Sequence, residues 1–548
     1  MILSALRKSL LEKARAWAKA EGLPLPENLT LGAPPAHVAA DISLPWPMAV
    51  AKAARKNPLE IARSLAKSFE GVLEIESVYA CAPGFVNIKL TDSALRANLK
   101  AITLTPETYG HDEAAGSTPS VLIEFVSANP TGPLHFGHAR GAAFGDSLVR
   151  ILRRLGRKVE AESYINDAGR QIELLGLSLM ARYQERLGQP AQIPEGGYHG
   201  NYLKAIAAEI KNGEKWKADD FNNFAMDRIL KEQQRDLQTF RVHFDHWYHE
   251  TGLHGSGAVQ KVLERLKEYD MAYEKDGAIW LGTASQEGDD KDRVLVRSDG
   301  RPTYFLPDIA YHLTKIERGY GLIIDIWGAD HHGYVPRMTA AMAALGHPPQ
   351  QYKALIYQLV HLFRGEETVR MSKRSGDIVE LREVADEVGV DACRFFFALR
   401  TPNSHMNFDL ELAKKQSSEN PVFYCQYVHA RIGSIFKEAA KQGILGTDEP
   451  LPGPNARFLN SPEEKALMVK MAWFPELLKS CEKELSPHPL ANYIMELAGL
   501  FHPFYEKCRV VDPANAEVSR ARLLLCTGVR DVIREGLGLL GVSAPEQM

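Results

Sequence analysis

No stretch of the chain is long, apolar and charge-free enough to cross a bilayer as a helix. A helical integral membrane protein is therefore excluded. Cysteine is scarce and scattered: the six in 548 residues (Cys81, Cys393, Cys425, Cys481, Cys508, Cys526) form no CxxC pair. This argues against a structural zinc site or a disulfide framework. It leaves buried thiols in a reducing, cytoplasmic setting as the expectation. A basic excess is also missing. With 65 Lys and Arg against 69 Asp and Glu, the net charge is −4, so composition alone does not suggest a nucleic-acid binder. Any RNA contact has to use local positive patches. No repeat of fixed period is present. Residues 1–22 also lack the acid-poor character of a mitochondrial presequence, because Glu12 and Glu21 interrupt the bases. Leu6, Leu10, Leu11, Ala14 and Trp17 predict instead the first helix of a folded domain.

What is present is a long chain with 45% hydrophobic residues and a mean hydropathy of −0.24, too large for one core and expected to form three or more domains. Residues 1–110 mix helical stretches with short strands such as 84–90, and the polar run 111–118 reads as a linker. Apolar clustering predicts a buried strand at 121–126, then a helix at 137–155 closed by Gly156, a strand at 158–165 and a helix at 169–187. The order returns as strand 322–327, helix 335–345 and strand 354–362. Alternating strands and helices imply a parallel sheet. The polar helical stretch at about 183–300 reads as an insertion, and the chain after Gly376 reads as helical, with an exposed loop at 448–454. The expected fold is multidomain α/β: an N-terminal α+β domain (1–110), a central Rossmann-like parallel-sheet domain (111–390) and a C-terminal all-α domain (391–548).

Two segments carry chemistry. Residues 127–138, Ser-Ala-Asn-Pro-Thr-Gly-Pro-Leu-His-Phe-Gly-His, join a strand end to a helix start. Ligands bind beyond the carboxyl ends of strands in open α/β sheets, and a helix N-terminus favours phosphate. His135 and His138 flank Gly137, which lets a nucleotide approach the backbone. Their imidazoles can donate to a phosphate as its charge grows. The second segment, Arg370-Met371-Ser372-Lys373-Arg374-Ser375-Gly376, has turn character and a lysine able to reach a triphosphate. Alone, such a basic run reads as solvated surface.

Together the two segments resemble the HIGH and KMSKS signatures of class I aminoacyl-tRNA synthetases. Phe136 stands for the central isoleucine, Arg370 for the first lysine and Arg374 for the final serine. Three further stretches resemble the arginyl-tRNA synthetase family over essentially the whole chain: Glu124-Phe125-x-Ser127-x-Asn129, Tyr304-x-x-x-Asp308 and Asn166-Asp167-Ala168-Gly169-Arg170-Gln171. That resemblance implies ligation of L-arginine to tRNA(Arg) with ATP, through an arginyl-adenylate. It implies catalytic roles for His135, His138 and Lys373, and ATP contacts from these with Gly137, Met371 and Ser372. It also implies an arginine pocket of Glu124, Ser127, Asn129, Tyr304 and Asp308, completed by Asp330 or His331. Magnesium would arrive with ATP, and no resident metal is expected.

On the tRNA side, Tyr424, Tyr427 and Arg431 share one helix face. Periodicity alone favours packing into a core, whereas the resemblance makes this an anticodon-binding helix. Met548 is implied to approach the anticodon too. Phe85 and Asn87 are implied to meet the tRNA D-loop, and a buried strand phenylalanine with a turn asparagine is the competing reading. A cytoplasmic monomer, activation that requires bound tRNA and no separate editing domain complete the expectation. The rivals are a synthetase for glutamate, glutamine or cysteine, and a non-catalytic tRNA-binding paralogue. Paired pocket acids oppose an acidic substrate, missing cysteine ligands oppose the cysteine enzyme, and the intact histidines and lysine oppose the paralogue.

Overall fold

The computed structural model describes residues 1–35, 37–112, 115–283, 291–365, 367–368, 379–445 and 456–548. At the N-terminus the helix Ile2–Ala20 buries Leu6, Leu10 and Ala14, as their spacing predicts. It packs beside an antiparallel sheet of β1 (Ile42–Leu44), β2 (Ile75–Cys81) and β3 (Phe85–Leu90), in the order β1-β3-β2. The centre of the molecule is a parallel sheet of β4 (Val121–Phe125), β5 (Val159–Ile165), β6 (His246–His249), β10 (Leu322–Gly328) and β11 (Tyr352–Tyr357). Between them in the chain lie β7 (Ala272–Lys275), β8 (Ala278–Leu281) and β9 (Arg293–Val296), a separate antiparallel sheet.

The central order is β11-β10-β4-β5-β6, with every neighbouring pair parallel. The chain runs outward from β4 through β5 and β6, then returns to lay β10 against the other side of β4. The crevice between the carboxyl ends of β4 and β10 is thus the topological switch point, where α/β sheets bind ligands. All five residues of β4 are buried, as a parallel strand covered on both faces requires.

The helix Phe136–Arg154 follows β4 and is pressed onto the sheet by two glycines. A Cβ on Gly145 would lie 2.3 Å from the Phe125 ring of β4, and one on Gly141 would lie 2.8 Å from the Tyr357 ring of β11. Two buried guanidiniums lock this helix. Arg140 donates to the carbonyls of Gln358 (2.8 Å), Ser404 (2.9 Å) and Thr401 (2.9 Å). Arg394, from the helix Val390–Ala398, reaches Asp146 and also bonds the carbonyls of Leu540 (2.7 Å) and Phe240 (2.9 Å). The phosphate-loop helix is therefore fastened to the C-terminal helices Pro421–Lys441, Pro462–Ala472, Phe474–Glu484, His488–Lys507 and Ala516–Leu539 through one shared core.

Three predicted elements differ. The 183–300 stretch is not wholly an insertion, since β6 is the edge strand of the central sheet. Its residues, His-Trp-Tyr-His, have no apolar alternation because only the edge of a sheet constrains them. The predicted strand 354–362 is two strands in different sheets. The chain turns at Gln358, and β12 (Val360–Arg364) pairs with β13 (Glu367–Thr368) and with β14 (Met406–Asp409). That last strand interrupts the helical region predicted after Gly376. The predicted loop 448–454 lies outside the described residues.

Replacing Arg394 with methionine leaves Asp146 buried with half of its cationic partners. It should lower stability by about 3 kcal/mol, read as an earlier unfolding midpoint in denaturant, while Arg301→Met, in an exposed pair with Asp299, should leave the midpoint almost unchanged.

Candidate active site

The site is built where β4 ends. Val126, a β-branched residue, takes φ +53°, a left-handed conformation that costs such a residue energy and persists where its surroundings enforce it. Its carbonyl accepts from Ala128 N–H (2.8 Å) and Ser163 Oγ (3.1 Å). The loop that follows is held from the far side: Gln233 donates to the carbonyls of Asn129 (3.1 Å) and Gly132 (2.8 Å), and Tyr202 to that of Thr131 (2.6 Å). Gln233 and Tyr202 sit on helices of the 183–300 region, and no local motif marked either one.

His135 is the N-cap residue of the helix Phe136–Arg154, and its ring stacks on His138 with centroids 3.6 Å apart. Gly137 serves this pair directly, because a Cβ there would lie 2.9 Å from the His135 ring. The glycine makes room for the imidazole as well as for any nucleotide. Met371, Ser372 and Lys373, with Arg370 and Arg374, lie outside the described residues. The chain re-emerges at Val379, whose carbonyl accepts from Phe136 N–H (2.9 Å), and Leu381 N–H bonds Leu134 O (2.8 Å). His135 and Glu380 form a bridge between them. The segment leaving the second signature is thus laced to the first.

The predicted arginine-pocket residues gather at the same crevice. Glu124 is buried; Ser127 Oγ donates to its Oε1 (2.6 Å) and Lys315 to its Oε2. Ser127 Oγ also accepts from Tyr164 N–H (3.2 Å). Asn129 is exposed in the loop. Tyr304 caps the helix Phe305–Glu317 and is 72% exposed, so it forms a free rim over the crevice. Its ring stacks on Tyr334, which packs on Trp327, which packs on His331. Asp330 is exposed and turned back on the Gly328 backbone, while His331 completes this aromatic wall. Asp308, in the first turn of its helix, accepts from the Tyr334 hydroxyl. Burial pushes its carboxyl up to about 6, against the Tyr334 hydrogen bond and nearby His312, with Glu124 and Glu250 pushing the same way as burial. Glu250 is an acid that sequence reasoning missed. It starts the helix after β6, in the stretch read as an insertion.

On the helix Pro421–Lys441 the predicted face is present and larger than expected. Tyr424 and Tyr427 lie against His502, and the Arg431 guanidinium covers the Tyr505 ring at 4.7 Å. His502 and Tyr505 come from the helix His488–Lys507 and extend the ledge. The chain end packs on another face of the helix Pro421–Lys441, with His429 bonding Pro545 O (2.9 Å), and Met548 is 53% exposed. Of the predicted D-loop pair, Phe85 is half-buried. Asn87 is buried at 2% exposure and accepts from Ser43 Oγ (2.8 Å), tying β3 to β1. The six cysteines are unbridged, five of them buried. No helix among the described residues is long and apolar enough to cross a membrane.

Residues 99–395 match the family model for the catalytic domain of class I (R) tRNA synthetases. A nucleotide loop at the switch point of a parallel sheet, joined to such a catalytic domain, defines a class I aminoacyl-tRNA synthetase. Residues 3–90 match the arginyl tRNA synthetase N terminal domain, and 425–548 the DALR anticodon binding domain. An arginine–tRNA ligase of Elusimicrobium minutum is 49% identical over 100% of both chains, and one of Thermotoga maritima 43% identical over 100% of both. The Thermus thermophilus arginyl-tRNA synthetase shares the fold, with a TM-score of 0.79 at 24% identity over 99% of this chain and 100% of that one. The chain belongs to the arginyl-tRNA synthetase family.

Burial pushes the Asp308 carboxyl up to about 6, so on the reading that this carboxylate meets arginine's guanidinium, affinity for arginine should fall as pH drops through that value. The group is charged above that value and neutral below it. Asp308→Asn should flatten this acid limb in a plot of log kcat/KM for arginine against pH.

Proposed function

We propose that this arginine–tRNA ligase carries out its two steps in the crevice between β4 and β10, with the residues of the two signatures and the acidic pocket in distinct roles. The observation that carries the assignment is the bridge between His135 and Glu380, which puts the exit of the second signature against the phosphate loop beside the acids of the switch point. In the first step the arginine carboxylate attacks the α-phosphorus of ATP, taken as its magnesium complex, and pyrophosphate leaves. In the second, a terminal ribose hydroxyl of tRNA(Arg), the 2′-hydroxyl by class membership, attacks the activated carbonyl and AMP leaves.

His135 and His138, at a helix N-terminus, stabilise charge growing on the phosphates. Lys373 shares that role on the strength of its match to the family signature, and Gly137, Met371 and Ser372 contact ATP on the same ground. Glu124 and Asp308 take the guanidinium, Tyr304 closes over it, Ser127 and Asn129 hold the amino acid's polar end, and His331 walls the site. No group here needs to become a covalent nucleophile, since positioning and electrostatics suffice. The acids also make a second sieve unnecessary, because an analogue without the guanidinium leaves them unpaired.

The helical region 391–548 takes the anticodon on the ledge of Tyr424, Tyr427 and Arg431, with Met548 at its end. The N-terminal region 1–110 approaches the tRNA D-loop through Phe85. The working form is a cytoplasmic monomer, and arginine activation waits for tRNA.

The direct test is ATP–pyrophosphate exchange over a panel of amino acids, with and without total tRNA. Exchange driven by arginine alone among them, and only with tRNA, is the expected result; exchange with another amino acid would refute the pocket. His138→Asn should lower kcat by about 10²-fold while changing KM for arginine little. Tyr427→Ala should raise KM for tRNA by about tenfold, the loss of one stacked base, and leave KM for ATP unchanged.

A further inference from the structure

Beneath the arginine pocket lies a row of charge of which the proposed reaction uses only Glu124. The register of the parallel sheet sets Glu124 of β4 beside Glu162 of β5 and beside Asp325 of β10. Three carboxylates therefore fall in one line on one face of the sheet, at 5%, 0% and 0% exposure. Burying carboxylates this deeply is costly unless each is paired and hydrogen-bonded. The helix Phe305–Glu317 crosses that face and supplies the partners. Tyr311 (2.7 Å) and Arg318 (2.6 Å) donate to Glu162, and His312 Nε2 lies 2.6 Å from Asp325 Oδ2.

Lys315 is the shared member. Its ammonium is fully buried, donates to Asp325 Oδ1 at 2.8 Å and to Glu124 Oε2, and lies 4.3 Å from the centre of the Tyr311 ring. Burial alone would depress this lysine, but the carboxylates of Asp325 and Glu124 overcome it and hold the ammonium above its ordinary range. Glu124, His312 and Asp325 bring ligand atoms within 4.8 Å of one another. The ammonium already bonds two of the three, so the place a metal cation would take is filled by a charge of the same sign.

We propose that Lys315 is the positioning residue of the arginine pocket: clamping one oxygen of Glu124 while Ser127 holds the other, it fixes the plane of the carboxylate that the guanidinium meets. The proposal rests on the reading of Glu124 as an arginine-binding residue, and its test separates the two.

Aminoacylation kinetics are measured for Lys315→Met, Lys315→Arg, Glu124→Gln and the double variant Lys315→Met/Asp325→Asn, which removes one charge of each sign and keeps the fold should the single variant fail. Lys315→Met, or the double variant in its place, should raise KM for arginine at least about tenfold and leave KM for ATP and kcat at saturating arginine within about threefold. Lys315→Arg, which keeps the charge and the donors, should recover most of that loss. Normal KM for arginine in a folded variant lacking Lys315, or equal losses in arginine KM, ATP KM and kcat, would overturn the positioning role. An unchanged KM for arginine in Glu124→Gln would instead overturn the assignment of Glu124 on which it rests.

Discussion

The buried alignment of Glu124 with Glu162 and Asp325 constrains the architecture around it. Strands in a parallel sheet stand about 4.8 Å apart, so three carboxylates in register repel one another in a setting where water cannot screen them. Only a cationic, hydrogen-bonding element laid across that face makes the arrangement stable, and the helix Phe305–Glu317 is that element. Its position is therefore set by electrostatics as well as by its apolar side, where Phe305, Leu306, Ile309 and Leu313 are buried. The same placement brings Tyr304 and Asp308, at its N-terminal end, over the mouth of the crevice. The charge row thus fixes this helix, and the helix fixes the proposed pocket.

A second set of buried cations does comparable work on the other half of the site. Arg140 spends its guanidinium on three carbonyls, and Arg394 joins Asp146 to the backbone of Phe240 and Leu540. Carbonyl and carboxylate partners of this kind define direction more sharply than apolar contacts do. They orient the helix whose N-terminus carries His135 and His138. Because Arg394 also holds the turn after the final helix, the loop before Phe136 and the chain end that packs on the helix Pro421–Lys441 belong to one continuous packing unit. Nearby, Asp391 bonds Ser543 N–H (2.9 Å) and Gln426 (2.9 Å), extending that unit into the helix Pro421–Lys441.

How much of this could be read from the residues follows the range of the interactions. The strand, loop and helix around His135 were legible because each is local: an apolar run, a Pro/Gly turn and a 3.6-residue period lie within 35 positions of one another. The edge strand β6 was not, since His246–His249 is four residues long with no alternating pattern. Lys315 escaped notice for a related reason. A lysine ten residues into an amphipathic helix reads as solvated, and only the register of three distant strands shows that it faces a row of acids. Asn87 shows the converse, a polar residue next to a turn that lies within a strand, where it is buried and bonded to Ser43. Glu250, Gln233 and Tyr202 come from a polar region with no motif, and reach the loop only through tertiary folding.

The pocket that results is unsatisfied in a specific way. Glu124 and Asp308 already accept hydrogen bonds from within the protein, from both Lys315 and Ser127 in one case and from Tyr334 in the other. Each keeps further lone pairs, because a carboxylate accepts about four bonds. A guanidinium has five donors in a planar fork and fits two such half-satisfied acids at once, whereas an ammonium presents a compact point charge with three donors. Lysine entering the site would balance charge without completing the geometry, and would leave a buried carboxylate short of a partner. That deficit costs about 1–3 kcal/mol for each unmet bond. On the proposed assignment, selectivity for arginine arises from acids that are held in place but not saturated, and the internal donors that hold them are as much a part of recognition as the acids themselves.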